Sequence, residues 1–262
     1  FTTRKISSST NQRMNLSWLL PDIKGIPVLM YHKVWPGGAD ALTISPERLQ
    51  QQWLLLKAEG YRALSLSEFL AVARGEQPRP SKAVLITFDD GYQNNLQYVY
   101  PLLQQTGFKA TFFIIGNTLS EGEGKDENPE ERKMSAGELK SMSPDVVQLG
   151  IHGHEHKHLG SINTDEAIVD LKSAISAFTV AGLEFHRVFA YPYGGQPKDA
   201  ARKAAFRKQM QEMGITAAFR IGNQVSKVPA PNIFEIKRID IRGTDTLDEF
   251  RIKLKKGKLK PF

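Results

Sequence analysis

The chain has 262 residues, enough for one large α/β domain or two small ones, and its 40% hydrophobic and 24% charged residues are ordinary for a globular protein. It has no cysteine, which excludes disulfides and thiolate-bound metals, and it carries neither an apolar run long enough to span a bilayer nor a phosphate loop or dinucleotide fingerprint. The net charge of +7 sits partly in the tail Arg251 to Lys260, read as a solvated helix end or as a contact for an anionic envelope, with nothing that calls for nucleic acid.

Residues 1–24 read as a loosely docked arm, with Trp18, Leu19 and Leu20 as its anchor. Phe1 to Arg13 is polar and shows no export signal; because the chain starts with Phe, a removed export segment is left open. Ile26 to His32 is the first strand, and Trp35-Pro-Gly-Gly38 a loop. Ser45-Pro46 caps a helix over Glu47–Glu59, which places Leu49, Trp53 and Leu56 on one face and stops at Gly60. Tyr61–Leu64 is a short strand, and Ser65-Leu-Ser-Glu68 a capping box opening a helix to Arg74. Ala83 to Phe88 is the central strand; a helix follows from Gln93 to Gln105, kinked or split by Pro101 and closed by Gly107. Lys109–Ile115 is another buried strand, and Leu119 to Arg132 an exposed acidic loop. Further helices fall at Ser135–Ser141, Asp165–Ala181, Asp199–Met213 and Leu247–Lys255. Strands fall at Val146–Ile151, Arg187–Tyr191, Ile215–Arg220 and Glu235–Ile241. Strands and helices alternate from end to end without a break in composition. That predicts a single domain of parallel βαβ units, and about eight strands favour a barrel over an open sheet.

Polar clusters gather at the predicted strand ends. Asp89 and Asp90 end the central strand, and two adjacent buried acids are costly unless a cation neutralises them. The rival reading is a strand-end turn that caps the next helix. His152-Gly-His-Glu-His-Lys-His158 holds four of the six histidines. On an extended strand His152 and His156 would stand roughly 13 Å apart. If the chain coils after His152, as Gly150 and Gly153 allow, residues four apart can share one ion. His154 and His158 form a rival pair of the same spacing, and a metal-free polar loop is the bland alternative. His32 and Tyr191-Pro-Tyr-Gly194 end two further strands. In α/β barrels the active site lies at the C-terminal strand ends.

Thr87-Phe-Asp-Asp-Gly91, His152-Gly-His-Glu-His156 and Tyr191-Pro-Tyr-Gly194 together resemble the first three motifs of the polysaccharide deacetylases, the NodB-homology proteins of carbohydrate esterase family four; the resemblance runs from about Ile26 to Phe250, within a domain expected over residues 25–262. The resemblance implies a distorted (β/α)7-8 barrel and a metal-dependent hydrolase removing N-acetyl groups from an amino-sugar polymer, located in the cell envelope or secreted. It implies Asp89 as catalytic base and Asp90, His152 and His156 as ligands of one divalent ion, most simply Zn2+, with Ni2+, Co2+ or Fe2+ as alternatives. Three departures stand out: Ala190 occupies the place of the third motif's Arg, so that the base loses its usual partner unless Arg238 or Arg187 supplies it from elsewhere; Gly153 replaces the usual Ser or Thr; and no histidine follows His186, where a Leu-x-His is usual. Val28-Leu-Met-Tyr-His32 resembles the N-terminal motif of the circularly permuted poly-β-1,6-N-acetylglucosamine deacetylases, which implies His32 as the general acid. Tyr191, Tyr193 and Trp35 are expected as an apolar wall for substrate, with the Tyr193 N–H as an oxyanion donor. The rival functions are O-acetyl xylan esterase, small cyclic amide hydrolase, and a catalytically impaired carbohydrate-binding homologue.

Overall fold

The computed structural model describes residues 25–119 and 128–257. The expected arm 1–24 with its Trp18–Leu20 anchor, the middle of the acidic loop, and the last residues of the basic tail lie outside them. In chain order the structure runs through β1 (Gly25–Ile26), β2 (Val28–Tyr31), β3 (Lys33–Val34), β4 (Thr43–Ile44), α1 (Pro46–Ala58), β5 (Arg62–Ala63), α2 (Leu66–Ala73) and β6 (Ala83–Asp89). A π-helical turn, Asn95–Val99, leads into α3 (Tyr100–Thr106), followed by β7 (Ala110–Ile114), α4 (Ala136–Ser141), β8 (Val147–Ile151), α5 (Thr164–Val180) and β9 (Val188–Ala190). Then come α6 (Ala200–Glu212), β10 (Ala217–Ile221), β11 (Ser226–Lys227), β12 (Ile236–Asp240) and α7 (Leu247–Lys256).

Strands β2, β6, β7, β8, β9, β10 and β12 pair in parallel in that ring order, and β12 returns to β2 through Ile239 opposite Leu29. The sheet is therefore a closed seven-stranded barrel. Strand β5 adds to the start of β6 outside the ring, Arg62 opposite Ala83. Local chemistry sets the helix limits. The Ser45 hydroxyl accepts from the Arg48 N–H with Pro46 next in line, and the Ser65–Glu68 capping box opens α2. Pro101 splits the helix after β6: a π turn precedes it, and Gly107, at φ +71°, ends α3. The described end of the acidic loop is docked and not free. Glu130 and Glu131 pair with Lys33, and the Gln93 N–H donates to the Arg132 carbonyl. In α7 the Lys253 ammonium turns inward to Asp245 and the Asp240 carbonyl, so the tail is not wholly a solvated helix face.

Strand alternation divides the core. Val28, Leu85, Phe113, Val188, Ala190, Phe219 and Ile236 point into the barrel. Their neighbours Leu29, Ile86, Phe88, Phe112, Phe189 and Ile239 point out, towards Leu49, Trp53, Phe178 and Phe206 of the helices. Helix α2 stoppers the barrel: Leu66, Phe69 and Leu70 join the inner cluster, with the Phe69 ring tilted against that of Phe219 at 6.0 Å. Because β5 and α2 enter beside the first residues of β6, the plug lies at the N-terminal strand ends. The C-terminal mouth is left to the polar residues that continue the inward rows: His32 above Val28, Asp89 above Leu85 and Thr87, His152 above Gly150, and Arg238 above Ile236.

Candidate active site

Asp89 is the last residue of β6 and faces inward by alternation. Asp90, one residue on, would face the outer layer if the strand continued. Instead Asp90 takes φ +71° and Gly91 φ +72°, and this left-handed turn brings the second carboxylate to the mouth as well. Glycine adopts that conformation freely, whereas an L-residue such as aspartate pays about 1–2 kcal/mol. Non-glycine residues held there mark sites where surrounding structure imposes the geometry. Among the described residues such positions are Asp90, His156, Tyr193 and Asn223, and the first three belong to the motifs above.

On β8, Gly150 makes room for its neighbours: a Cβ there would lie 2.7 Å from the Phe113 ring and 2.9 Å from Val188. His152 follows on the same inward row, its N–H continuing the ladder to the Ile114 carbonyl at 2.9 Å. Its Nδ1 stands 2.8 Å from the Ala190 carbonyl, which can only accept. Nδ1 therefore carries the hydrogen, and Nε2 presents a bare lone pair to the mouth. The chain then coils through Gly153 at φ +77° to His156 at φ +53°.

Three lone-pair atoms converge as a result. Asp90 Oδ1 lies 3.4 Å from His152 Nε2 and 3.2 Å from His156 Nε2, and the two Nε2 atoms are 3.2 Å apart. Ligands at roughly 2.0–2.1 Å around a tetrahedral zinc stand about 3.3 Å from one another, so the triangle fits one ion. Asp90 Oδ1 is buried without a hydrogen-bond partner, as expected of an atom that awaits a cation. Burial pushes the Asp90 carboxyl up, but the two imidazoles and Lys133 outweigh it and hold it well below the usual range. For His152 burial pulls downward, and the Asp89 and Asp90 carboxylates overcome that and raise it. Both shifts express one demand for positive charge at the centre of the triangle.

Asp89 is held differently. Arg238 donates Nη1–H to Oδ1 at 2.6 Å and Nη2–H to Oδ2 at 2.7 Å, a bidentate pair with both side chains buried. Burial pushes Asp89 upward, and the guanidinium, helped by His152, holds it below the usual range as a carboxylate. Arg238 thus fills the place left by the missing third-motif arginine. Ala190, inward and fully buried, leaves the space, and Arg238 reaches into it from β12, its guanidinium 5.3 Å from the Phe113 ring. Arg187, the other candidate, lies ahead of β9 at the plugged end and donates to the Met213 carbonyl.

His32 also faces the mouth. Its ring lies in the fields of Asp89, Asp90, Arg238 and His152; burial, the largest influence, lowers its pKa, and its Nδ1 is buried without a partner. His154 and His158 do not join the triangle. The His154 ring packs towards Gly116, and the His158 ring lies against Gly195 and stacks 6.2 Å from Tyr193. Tyr193, 63% exposed, also packs 4.5 Å from His156 and so borders the Asp90–His152–His156 triangle. Tyr191 does not share in the expected wall. It follows Phe189 on the outward row, is 4% exposed, and its hydroxyl donates to the Phe234 carbonyl at 3.3 Å. The two-residue period sends it to the helix layer, and burial raises its pKa. Trp35 packs edge-on against Tyr98, 6.4 Å away, beside the π turn. Sequence reasoning missed Asp170, a buried carboxylate on the apolar stripe of α5. The signal was there in its spacing with Ala167, Leu171, Ala174 and Phe178.

The polysaccharide deacetylase family model matches residues 76–218, which contain Asp89, Asp90, His152, His156 and Tyr193 but neither His32 nor Arg238. YxkH of Bacillus subtilis is 25% identical over 191 residues, 73% of this chain and 64% of its own length. The poly-β-1,6-N-acetyl-D-glucosamine N-deacetylase of Escherichia coli K12 is 33% identical over 95 residues, 36% of this chain and 14% of that protein. The chain thus spans less than two-thirds of the length of either relative. The deacetylase PplD of Streptococcus pyogenes, solved with acetate, superposes with a TM-score of 0.73 at 21% identity, over 88% of this chain and 98% of that one, and shares the barrel. Matched over more than half of its length, with Asp89, Asp90, His152 and His156 inside the matched span, the chain belongs to the polysaccharide deacetylase family.

Proposed function

We propose that this chain removes acetyl groups from the amines of an amino-sugar polysaccharide, with one divalent ion, zinc or else Ni2+, Co2+ or Fe2+, bound by Asp90, His152 and His156. The observation that carries the reading is the three-ligand triangle with an arginine-held carboxylate 3.5 Å from one of its histidines. A divalent ion in such a site polarises a carbonyl and acidifies water. Asp89 is kept ionised by Arg238 and takes the proton of the attacking water, each carboxylate oxygen retaining a lone pair beyond the one given to the guanidinium. The Tyr193 N–H, on a turn held at φ +56°, is the backbone donor for the developing oxyanion. The exposed Tyr193 ring offers a face to the sugar or to the acetyl methyl group.

An amine leaves only when protonated, so an acid must stand across the substrate from the base. His32 ends its own strand on the inward row and takes that part. An acid supplied ahead of the first motif fits the permuted branch, and the Escherichia coli relative carries that branch's name. The test is acetate release from N-acetylated glucosamine polymers and from O-acetylated xylan, with and without chelator. N-acetyl substrates alone should respond, and chelator should abolish turnover. Asp89→Asn should keep the metal and lose roughly two to four orders of magnitude in rate. Turnover by Asp89→Asn at the wild-type rate would refute the base. A chain that binds the polymers without releasing acetate would leave the binding-only alternative.

A further inference from the structure

We infer that Asp170 of α5 is the positioning residue that keeps the turn from His152 to His156 coiled, and so sets the affinity of the three-ligand site; the inference rests on the metal reading above. Asp170 is 6% exposed and lies on the helix face that α5 buries with Ala167, Leu171, Ala174 and Phe178. A carboxylate there is out of place unless its oxygens are satisfied. They are. Oδ2 accepts from the His154 N–H and Oδ1 from the Glu155 N–H, both at 2.9 Å. From the other side the Gly116 N–H donates to the Gly153 carbonyl at 2.8 Å, and the Asn117 N–H to the His154 carbonyl at 3.0 Å. The residues between the two ligands are clamped from both flanks.

The clamp explains the family departure at Gly153. A Cβ on that residue would lie 2.9 Å from Asp170 Oδ2, so the carboxylate sits directly against the backbone, and φ +77° there disfavours any side chain. It also assigns the two histidines different dependencies. His152 is anchored independently, by the Ile114 and Ala190 carbonyls. His156, at φ +53°, has its place through the turn. Without the carboxylate two N–H donors lose a charged acceptor, roughly twice as strong as a neutral one. Water can replace it only if the turn lifts from α5. Relaxation towards an extended chain would carry the ligands towards a separation of roughly 13 Å, against 3.2 Å between their Nε2 atoms as folded.

The test is competitive titration of Zn2+ between a chelator and the full chain, with melting temperature measured on the same samples. Asp170→Ala and Asp170→Asn should weaken Zn2+ binding by roughly 10–100-fold, the usual effect of losing a group that orients a ligand. Leu171→Ala, which opens the packing of α5 without touching the turn, should lower the melting temperature at least as far and leave Zn2+ affinity within about twofold. Should Asp170→Ala fail to fold, Asp170→Asn, which keeps one acceptor oxygen, carries the comparison. Wild-type affinity in Asp170→Asn would overturn the inference while leaving the metal site standing. So would a loss in Leu171→Ala that tracks its melting temperature. A wild-type chain that binds no Zn2+ would overturn the metal reading and this inference together.

Discussion

Arg238→Met isolates the electrostatic support of the proposed base. The pair it breaks has bonds of 2.6 and 2.7 Å between side chains that are 1% and 2% exposed. Burial is the largest influence on Asp89 and acts to neutralise it; Arg238 is the strongest opposing one. Methionine keeps most of the arginine stem and removes the charge, leaving a buried carboxylate without its counter-ion. Breaking such a pair from one side costs about 3–5 kcal/mol, which for a chain of this size is on the order of 10 °C in melting temperature. The measurement is urea or thermal unfolding in the presence of chelator, so that no bound cation substitutes for the guanidinium, with acetate release assayed separately. Replacing both partners, Asp89→Leu with Arg238→Met, removes the unpaired charge and should restore most of the lost stability. The double variant should remain inactive, because the base is gone. A loss below about 1 kcal/mol in Arg238→Met, the range of exposed ion pairs, would refute the reasoning, as would a double variant no more stable than the single one.

His32→Ala should keep its bound metal while deacetylation falls by about two orders of magnitude; metal analysis beside acetate release separates the two, and full activity would remove His32 as the acid. Gly153→Ala should cost about 1–2 kcal/mol for the left-handed backbone and, by pressing on Asp170 Oδ2, weaken metal binding as well; a variant with intact affinity would mean that the turn tolerates the displacement. The two tyrosines should behave differently, because β9 ends at Ala190 and Tyr193 sits on a left-handed turn beyond it. Tyr191→Phe is expected to lose about 1 kcal/mol of stability with its hydrogen bond and to leave turnover unchanged. Tyr193→Ala should raise KM for polymer with little change in melting temperature, and the reverse pattern would contradict the placement of Tyr191 in the helix layer and of Tyr193 beside His156.

The sequence by itself determined the alternation of elements, and with it the barrel. Apolar runs such as Val84 to Phe88, caps such as Ser45-Pro46 and Ser65–Glu68, and stops such as Gly107 act over a few residues, so local chemistry is enough to reveal them. It also offered the ligand spacing, because a pair four residues apart can meet only if the chain coils between them. The left-handed conformations of Gly153 and His156 supply that coiling, and those of Asp90 and Gly91 bring the Asp90 carboxylate to the same mouth. Other choices belonged to the tertiary structure. Whether Arg238 or Arg187 faces Asp89 depends on which end of the barrel each strand presents, and only ring closure through β12 and β2 decides it. Tyr191 was legible in principle, since its parity with Phe189 points outward, yet its place in the motif masked that signal. Asp170 is joined to its turn across a helix, through backbone donors that every residue but proline possesses, so no side-chain pattern in the sequence names its partners.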